Sequence, residues 1–196
     1  MIVAVDLSLT STGLAIWRPG EALELQTING KTTSGMERVA MICRHIWALT
    51  RDPNVLVMLE GYAYSRTNGK FLDLAELRGI LMYPLWCQSM LTMTISPTAL
   101  KKYATGRGST GKDKDTGEVI PTDKTAVTMA ARARYGHLVT IRNDDEADAL
   151  VLAAMALHKY GAPLAPVPKA NAAAIEGTAK EPIKWPHFRI GGPLDA

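Results

Sequence analysis

Four acidic residues stand where a shared chemistry would want them. Asp6 closes the apolar run 2–6, and Glu60 follows the apolar run 55–59. Two more lie in Asp144-Asp145-Glu146-Ala147-Asp148. On a helix, Asp145 and Asp148 are three residues apart and share a face, which continues through Leu152 and Met155 toward the interior. Ala147 and Ala149 flank Asp148 and permit close approach. If the strands ending in Asp6 and Glu60 are parallel neighbours, their side chains emerge side by side. Four carboxylates on one edge repel, and burying them unpaired is expensive. A cation must neutralise them. An all-carboxylate donor set suits Mg²⁺ or Mn²⁺ rather than zinc. Two such ions, ~3.5–4 Å apart, can activate a water and stabilise the leaving oxygen in phosphodiester cleavage. The residues therefore predict a two-metal nuclease site.

Each acid also has a plainer reading. Asp6 could cap the loop after its strand as an Asx-turn residue. Glu60 could simply begin a loop. The acids at 144–148 could serve the dipole of a helix N-terminus. Four acids in five residues exceed what a dipole needs. The three plain readings also leave unexplained why each acid sits where one common site would place it.

The elements that must position these groups follow from periodicity. Residues 2–6 and 14–17, separated by small polar residues, read as two strands joined by a tight turn, with a third strand at 23–28. Residues 34–50 carry a helical stripe of Met36, Val39, Ala40, Cys43, Ile46 and Trp47, with Ser34 and Glu37 spaced as a capping box. Five consecutive apolar residues at 55–59 predict a central strand buried on both faces. A polar loop follows at 61–69, then a long helix over 71–90, a strand at 91–95 and a short helix from Ser96-Pro97 to Tyr103. Residues 106–122, rich in Gly and mixed charge, predict a mobile loop. Helices are expected at 123–135 and at 144–160, the latter capped by Asn143 and ended by Gly161. The order predicts an α/β fold: a mixed five-stranded sheet, three strands antiparallel and two parallel, flanked by helices. Residues 1–160 form the expected domain. Residues 161–196, rich in Pro and Ala, form a tail expected to be extended or irregular, touching the domain through Ile183, Trp185 and Phe188.

Composition narrows the class. The chain has 196 residues, 47% hydrophobic and 21% charged, which excludes disordered and fibrous proteins. Two cysteines make no disulfide framework, and a chain opening MIVAVD has no basic leader, so a reduced cytoplasmic setting is expected. The uncharged run 79–100 contains Pro84, Gln88 and Ser89, and reads as a buried helix plus a strand rather than a membrane span. A net charge of +3 permits an anionic partner without specifying one.

A resemblance adds to this reading. The segments IVAVDLSLTSTGLAI, VLVMLEG (55–61), LAELRGILM (74–82), SPTALKKYATGRG (96–108), DKTAV (123–127) and DDEADALVLA (144–153) together resemble the RuvC family of Holliday-junction resolvases, within the RNase H-like superfamily. The resemblance implies that Asp6, Glu60, Asp145 and Asp148 are the catalytic metal-binding set. It implies that Lys124 lies near the scissile phosphate, and that the helix carrying Arg78 and Gly79 helps form a homodimer. The expected activity is paired cleavage of branched DNA, leaving 5′-phosphate and 3′-hydroxyl ends. Residues 109–122 interrupt the family pattern, in a style that resembles phage-borne members. Lys112 therefore competes with Lys124, which is favoured by its place at a helix start. Tyr62 and Tyr64 straddle the position of a junction-probing aromatic, and either could serve.

From Gly61 to Lys112 the local charge balance is +5, from Arg66, Lys70, Arg78, Lys101, Lys102, Arg107 and Lys112 against Asp73 and Glu76. Interleaved Tyr62, Tyr64 and Tyr103 suit stacking on exposed bases between phosphate contacts. The plain alternative is a solvated surface. Lys101 and Lys102, before a glycine loop, are the leading phosphate contacts. Two other functions compete. A sugar-kinase-type phosphotransferase shares the strand-turn-strand pattern of VDLSLTSTGLAI, but needs two such domains. A junction-binding protein without catalysis would fit an incomplete acidic set, whereas all four acids are present.

Overall fold

The computed structural model describes residues 1–52, 54–62, 70–112, 119–121, 123–178 and 181–190. Strands β1 (Ile2–Asp6), β2 (Ser11–Trp17) and β3 (Glu24–Asn29) form an antiparallel meander. Helix α1 (Gly35–Leu49) leads into β4 (Leu56–Glu60), and α2 (Lys70–Cys87) leads into β5 (Leu91–Ile95). The sheet order is β3-β2-β1-β4-β5, with β1, β4 and β5 mutually parallel. The expected mixed sheet is thus present, with its expected division into antiparallel and parallel parts.

Side-chain alternation sorts the sheet into two cores. Val3, Val5, Val57 and Leu59 pack against α1 and α2, where Leu77, Leu81 and Leu85 recur at helical spacing. Ile2, Ala4, Leu56 and Met58 face the opposite side, covered by α5 (Asp144–Lys159) with α3 (Pro97–Thr105) and α4 (Lys124–Tyr135). Every residue from Glu146 to Leu157 is buried, because α5 lies between the sheet and the outer helices. The 55–59 run is wholly buried, as a central strand must be.

Two local expectations are corrected. Ser34 sits at the N-cap of α1 in extended conformation, but its side chain makes no capping bond. Gly35 begins the helix at φ +52°, so the chain enters by a different path from a capping box. The segment expected as a mobile loop contains a two-stranded ribbon, β6 (Ser109–Lys112) paired with β7 (Val119–Pro121). The β-branched Val119-Ile120 pair supplies the strand propensity that the surrounding glycines obscured.

Beyond α5 the chain returns over the α3 side. It includes a short helix, α6 (Lys169–Ala172), and a 3-10 turn at Ala173–Glu176. Ala174, Ile175 and Phe188 join the buried core, while Ile183 and Trp185 pack at its edge. Tyr160 donates to the Pro186 carbonyl at 2.7 Å and meets Trp185 and Phe188 edge to face. No helix among the described residues is long and apolar enough to cross a membrane.

Candidate metal centre and nucleic-acid face

Register decides where the first two acids point. Asp6 continues the Ile2, Ala4 face of β1, and Glu60 continues the Leu56, Met58 face of β4. Val5 pairs with Leu59 in parallel register, so both acids leave the same edge on the same side. A slip of one residue would send either acid to the α1–α2 side.

The third acid comes from α5, whose start is fixed by polar contacts. The Asn143 side chain accepts from the Glu146 N–H at 2.8 Å. The buried Glu146 carboxylate accepts from the Arg142 N–H at 2.8 Å, the Thr27 hydroxyl at 3.0 Å and the Arg142 guanidinium at 3.1 Å. This ties the helix start to β3. Gly13 of β2, paired with Asp6, lets the helix come close: a Cβ at Gly13 would lie 2.0 Å from the Asp145 carbonyl oxygen. Only a residue without a side chain fits there.

Carboxylate oxygens of Asp6, Glu60 and Asp148 consequently lie within 4.8 Å of one another, with Asp6 and Asp148 buried. Burial, then the charges of Asp148 and Glu60, push the Asp6 carboxyl well above its usual range, with Lys124 opposing. Burial, then Glu60, pushes Asp148 up to about 7, again against Lys124. Burial also raises Glu60, opposed by Lys124, Lys101 and a hydrogen bond with Asp6. Burial is the largest cause of each shift, and the nearby lysines offset only part of it. Three convergent oxygen donors short of positive charge match a hard divalent cation such as Mg²⁺ or Mn²⁺.

The other site candidates distribute around this centre. Asp145 lines the same cleft of about 190 Å³, but its carboxylate accepts from the Ser11 hydroxyl. It stands beside the cluster of three rather than within it. Lys124, first residue of α4, also lines the cleft, and its ammonium lies 3.4 Å from Asp144. Partial burial lowers the Lys124 pKa, but Asp6, Asp148 and Asp144 outweigh it and raise the value overall. The turn after β1 is closed by Thr12, whose hydroxyl donates to the Ser8 carbonyl and accepts from the Ser8 N–H. Asp6 itself turns toward Glu60 and Asp148.

Tyr62 lies in the cleft wall, and Lys101 of α3 is near enough to influence Glu60. Lys102 is half-buried on the same helix, and Arg107 is exposed just beyond its Gly106 cap. Tyr64 and Arg66 lie outside the described residues, as do the side chains of Lys70 and Lys112. Tyr103, by contrast, is a core residue: it is buried, and its hydroxyl donates to the Ala154 carbonyl at 3.2 Å. Sequence reasoning missed Ser11, Gly13 and the cleft position of Arg78. By sequence, Gly13 falls in the turn between two strands, so its pairing opposite Asp6 emerges only in the fold.

No protein-family model matches the sequence, and no curated protein matches it significantly. Solved structures do match. Thermus thermophilus RuvC in complex with a Holliday junction substrate aligns with TM-score 0.59 at 17% identity, covering 85% of this chain and 98% of that one. A second Thermus thermophilus RuvC structure aligns with TM-score 0.56 at 17% identity, covering 82% and 96%. The sheet order, the parallel strands and the flanking helices of this chain are therefore those of the RuvC, RNase H-like fold.

Proposed function

We propose that the chain is a divalent-metal-dependent endonuclease that resolves four-way or otherwise branched DNA by paired phosphodiester hydrolysis, acting as a homodimer. The observation that carries this reading is the meeting of Asp6, Glu60 and Asp148, 54 to 142 positions apart in sequence, within 4.8 Å at the carboxyl edge of parallel strands. The fold adds support, since a RuvC structure of the same architecture was solved on a Holliday junction substrate.

Asp6, Glu60 and Asp148, with Asp145 beside them, are the residues we assign to two Mg²⁺ or Mn²⁺ ions. When bound, such ions supply activation of the attacking water and neutralisation of charge on the phosphodiester. The protein's part is to hold the donors rigid, as the strand ends and the capped helix do. Lys124 brings a fixed positive charge to the cleft mouth, where it attracts the scissile phosphate. We favour Lys124 over Lys112 for that role. Lys101, Lys102 and Arg107 are assigned to phosphates farther along, with Lys70, Lys112 and Arg66 as further expected contacts. Tyr62 or Tyr64 is assigned to stacking on an exposed base. Products carry 5′-phosphate and 3′-hydroxyl ends. The nuclease domain is assigned to residues 1–160.

The test incubates the protein with labelled four-way junction, flap and duplex DNA, in Mg²⁺ and in EDTA. Wild-type protein cuts the junction in Mg²⁺ only, and Asp6→Asn and Asp148→Asn abolish cutting. Wild-type rates in either variant would overturn the assignment.

A further inference from the structure

Arg78 lies in the cleft wall, yet its hydrogen bonds go to a main-chain carbonyl and a hydroxyl rather than to the acid side chains. Its guanidinium is occupied elsewhere. One terminal nitrogen donates to the Glu60 main-chain carbonyl at 2.6 Å, and the other donates to the Thr94 hydroxyl at 2.7 Å. The fork therefore clamps the last residue of β4 to the neighbouring strand β5, alongside the Gly61 N–H donating to the Ile95 carbonyl at 2.7 Å. The guanidinium carbon also sits 5.1 Å from the centre of the Tyr62 ring. That ring meets Phe71 at 5.2 Å between centroids. Phe71 and Arg78 are seven residues apart on α2, hence on one helix face. Tyr62 is thus in contact with two α2 side chains, while Glu60 is fixed through its backbone.

We infer that Arg78 is a positioning residue, which sets the Glu60 carboxylate and the Tyr62 ring in register from a single side chain of α2. The inference rests on the nuclease reading and deepens it. It requires the planar fork and not merely positive charge: a lysine has one ammonium and cannot span two acceptors in fixed directions while lying over a ring. Burial lowers the Arg78 pKa and Tyr62 opposes this, consistent with a guanidinium held inside the structure for its geometry. Residues that orient ligands from behind typically alter metal affinity or activity by about 10- to 100-fold.

The experiment is a double-mutant cycle on Mg²⁺ affinity, read by titration calorimetry without DNA. Arg78→Gln should weaken Mg²⁺ binding by about tenfold or more. Arg78→Lys should fail to restore it. In a Glu60→Gln background, Arg78→Gln should change nothing further, because its effect passes through Glu60. Circular dichroism in EDTA checks folding. If Arg78→Gln does not fold, Thr94→Val takes its place, and it should weaken Mg²⁺ binding in the same direction. Full affinity in Arg78→Gln or Arg78→Lys, or effects that simply add to those of Glu60→Gln, would overturn the inference and leave the nuclease reading standing. A wild-type chain that binds neither Mg²⁺ nor Mn²⁺ would overturn both. One that binds Mg²⁺ but cuts no DNA would overturn the nuclease reading, while the cycle still decides the role of Arg78.

Discussion

At the scale of single residues, the acidic centre carries an electrostatic cost that the fold bears on its own. Asp6, Glu60 and Asp148 are all shifted upward, with Asp148 at about 7. For an acid raised in the folded state, the stabilising contribution is full below its ordinary value near 4. It is lost as pH rises through the folded value. Metal-free protein should therefore lose stability between about pH 4 and pH 7, and thermal melts in EDTA across that window check it. Divalent ions should reverse the loss, so the rise in melting temperature on adding Mg²⁺ should be larger at pH 8 than at pH 5. The sharper form uses one substitution. Asp148→Asn removes a repelling charge, so in EDTA at pH 8 it should melt above wild type while cutting nothing in Mg²⁺. A lower melting temperature than wild type under those conditions would refute the electrostatic account.

At the scale of elements, the site depends on how closely α5 approaches the sheet, and Gly13 sets that distance. Gly13→Ala would drive a methyl into the Asp145 carbonyl, and overpacking of this kind costs ~1–3 kcal/mol. Urea unfolding should show that loss, and Mg²⁺ binding should weaken because Asp148 moves with the helix. The segment after α5 makes a second case. The buried Asn171 amide donates to the carbonyls of Tyr103 and Ala104 at 2.8 and 3.1 Å, at the end of α3. Arg134 donates to the same two carbonyls, each at 3.2 Å. Asn171→Ala should cost ~1–3 kcal/mol in urea unfolding, and an unchanged stability would show that the segment is an appendage. These cases also show what the sequence could reveal. Asp6 and Glu60 were legible because each ends an apolar run, and the run's alternation carries its face into the acid. Asp148 was legible from its helical stripe. The Asp145–Ser11 bond, the fork of Arg78 and the grip of Asn171 join residues far apart in the chain, and no local period announces such contacts. The β6–β7 ribbon was hidden by its glycines, which signal turns more strongly than two β-branched residues signal a strand.

At the scale of the whole molecule, α2 has two faces with different duties. Leu77, Leu81 and Leu85 enter the core, and Phe71 and Arg78 reach toward Tyr62. The outward face carries Leu72, Tyr83 and Trp86, exposed by 71%, 68% and 76%. Gly79, lying between them with open space where a Cβ would be, allows close approach of a second backbone. A large aromatic and aliphatic stripe of this kind marks an interaction surface. On the proposed nuclease reading the occupant would be a second copy of the chain, because a two-fold dimer would place two identical centres on the two strands of a four-way junction. Trp86→Glu puts a charge at the middle of that contact. Sedimentation should then give a monomer, whereas wild type is expected to give a dimer. Mg²⁺ binding should be unchanged, since the three clustered carboxylates belong to one chain. On a junction held in a supercoiled plasmid, the variant should release nicked circles, whereas wild type should give linear product from two coordinated cuts. Coordinated cutting by a monomeric variant would show that the α2 face serves some other contact.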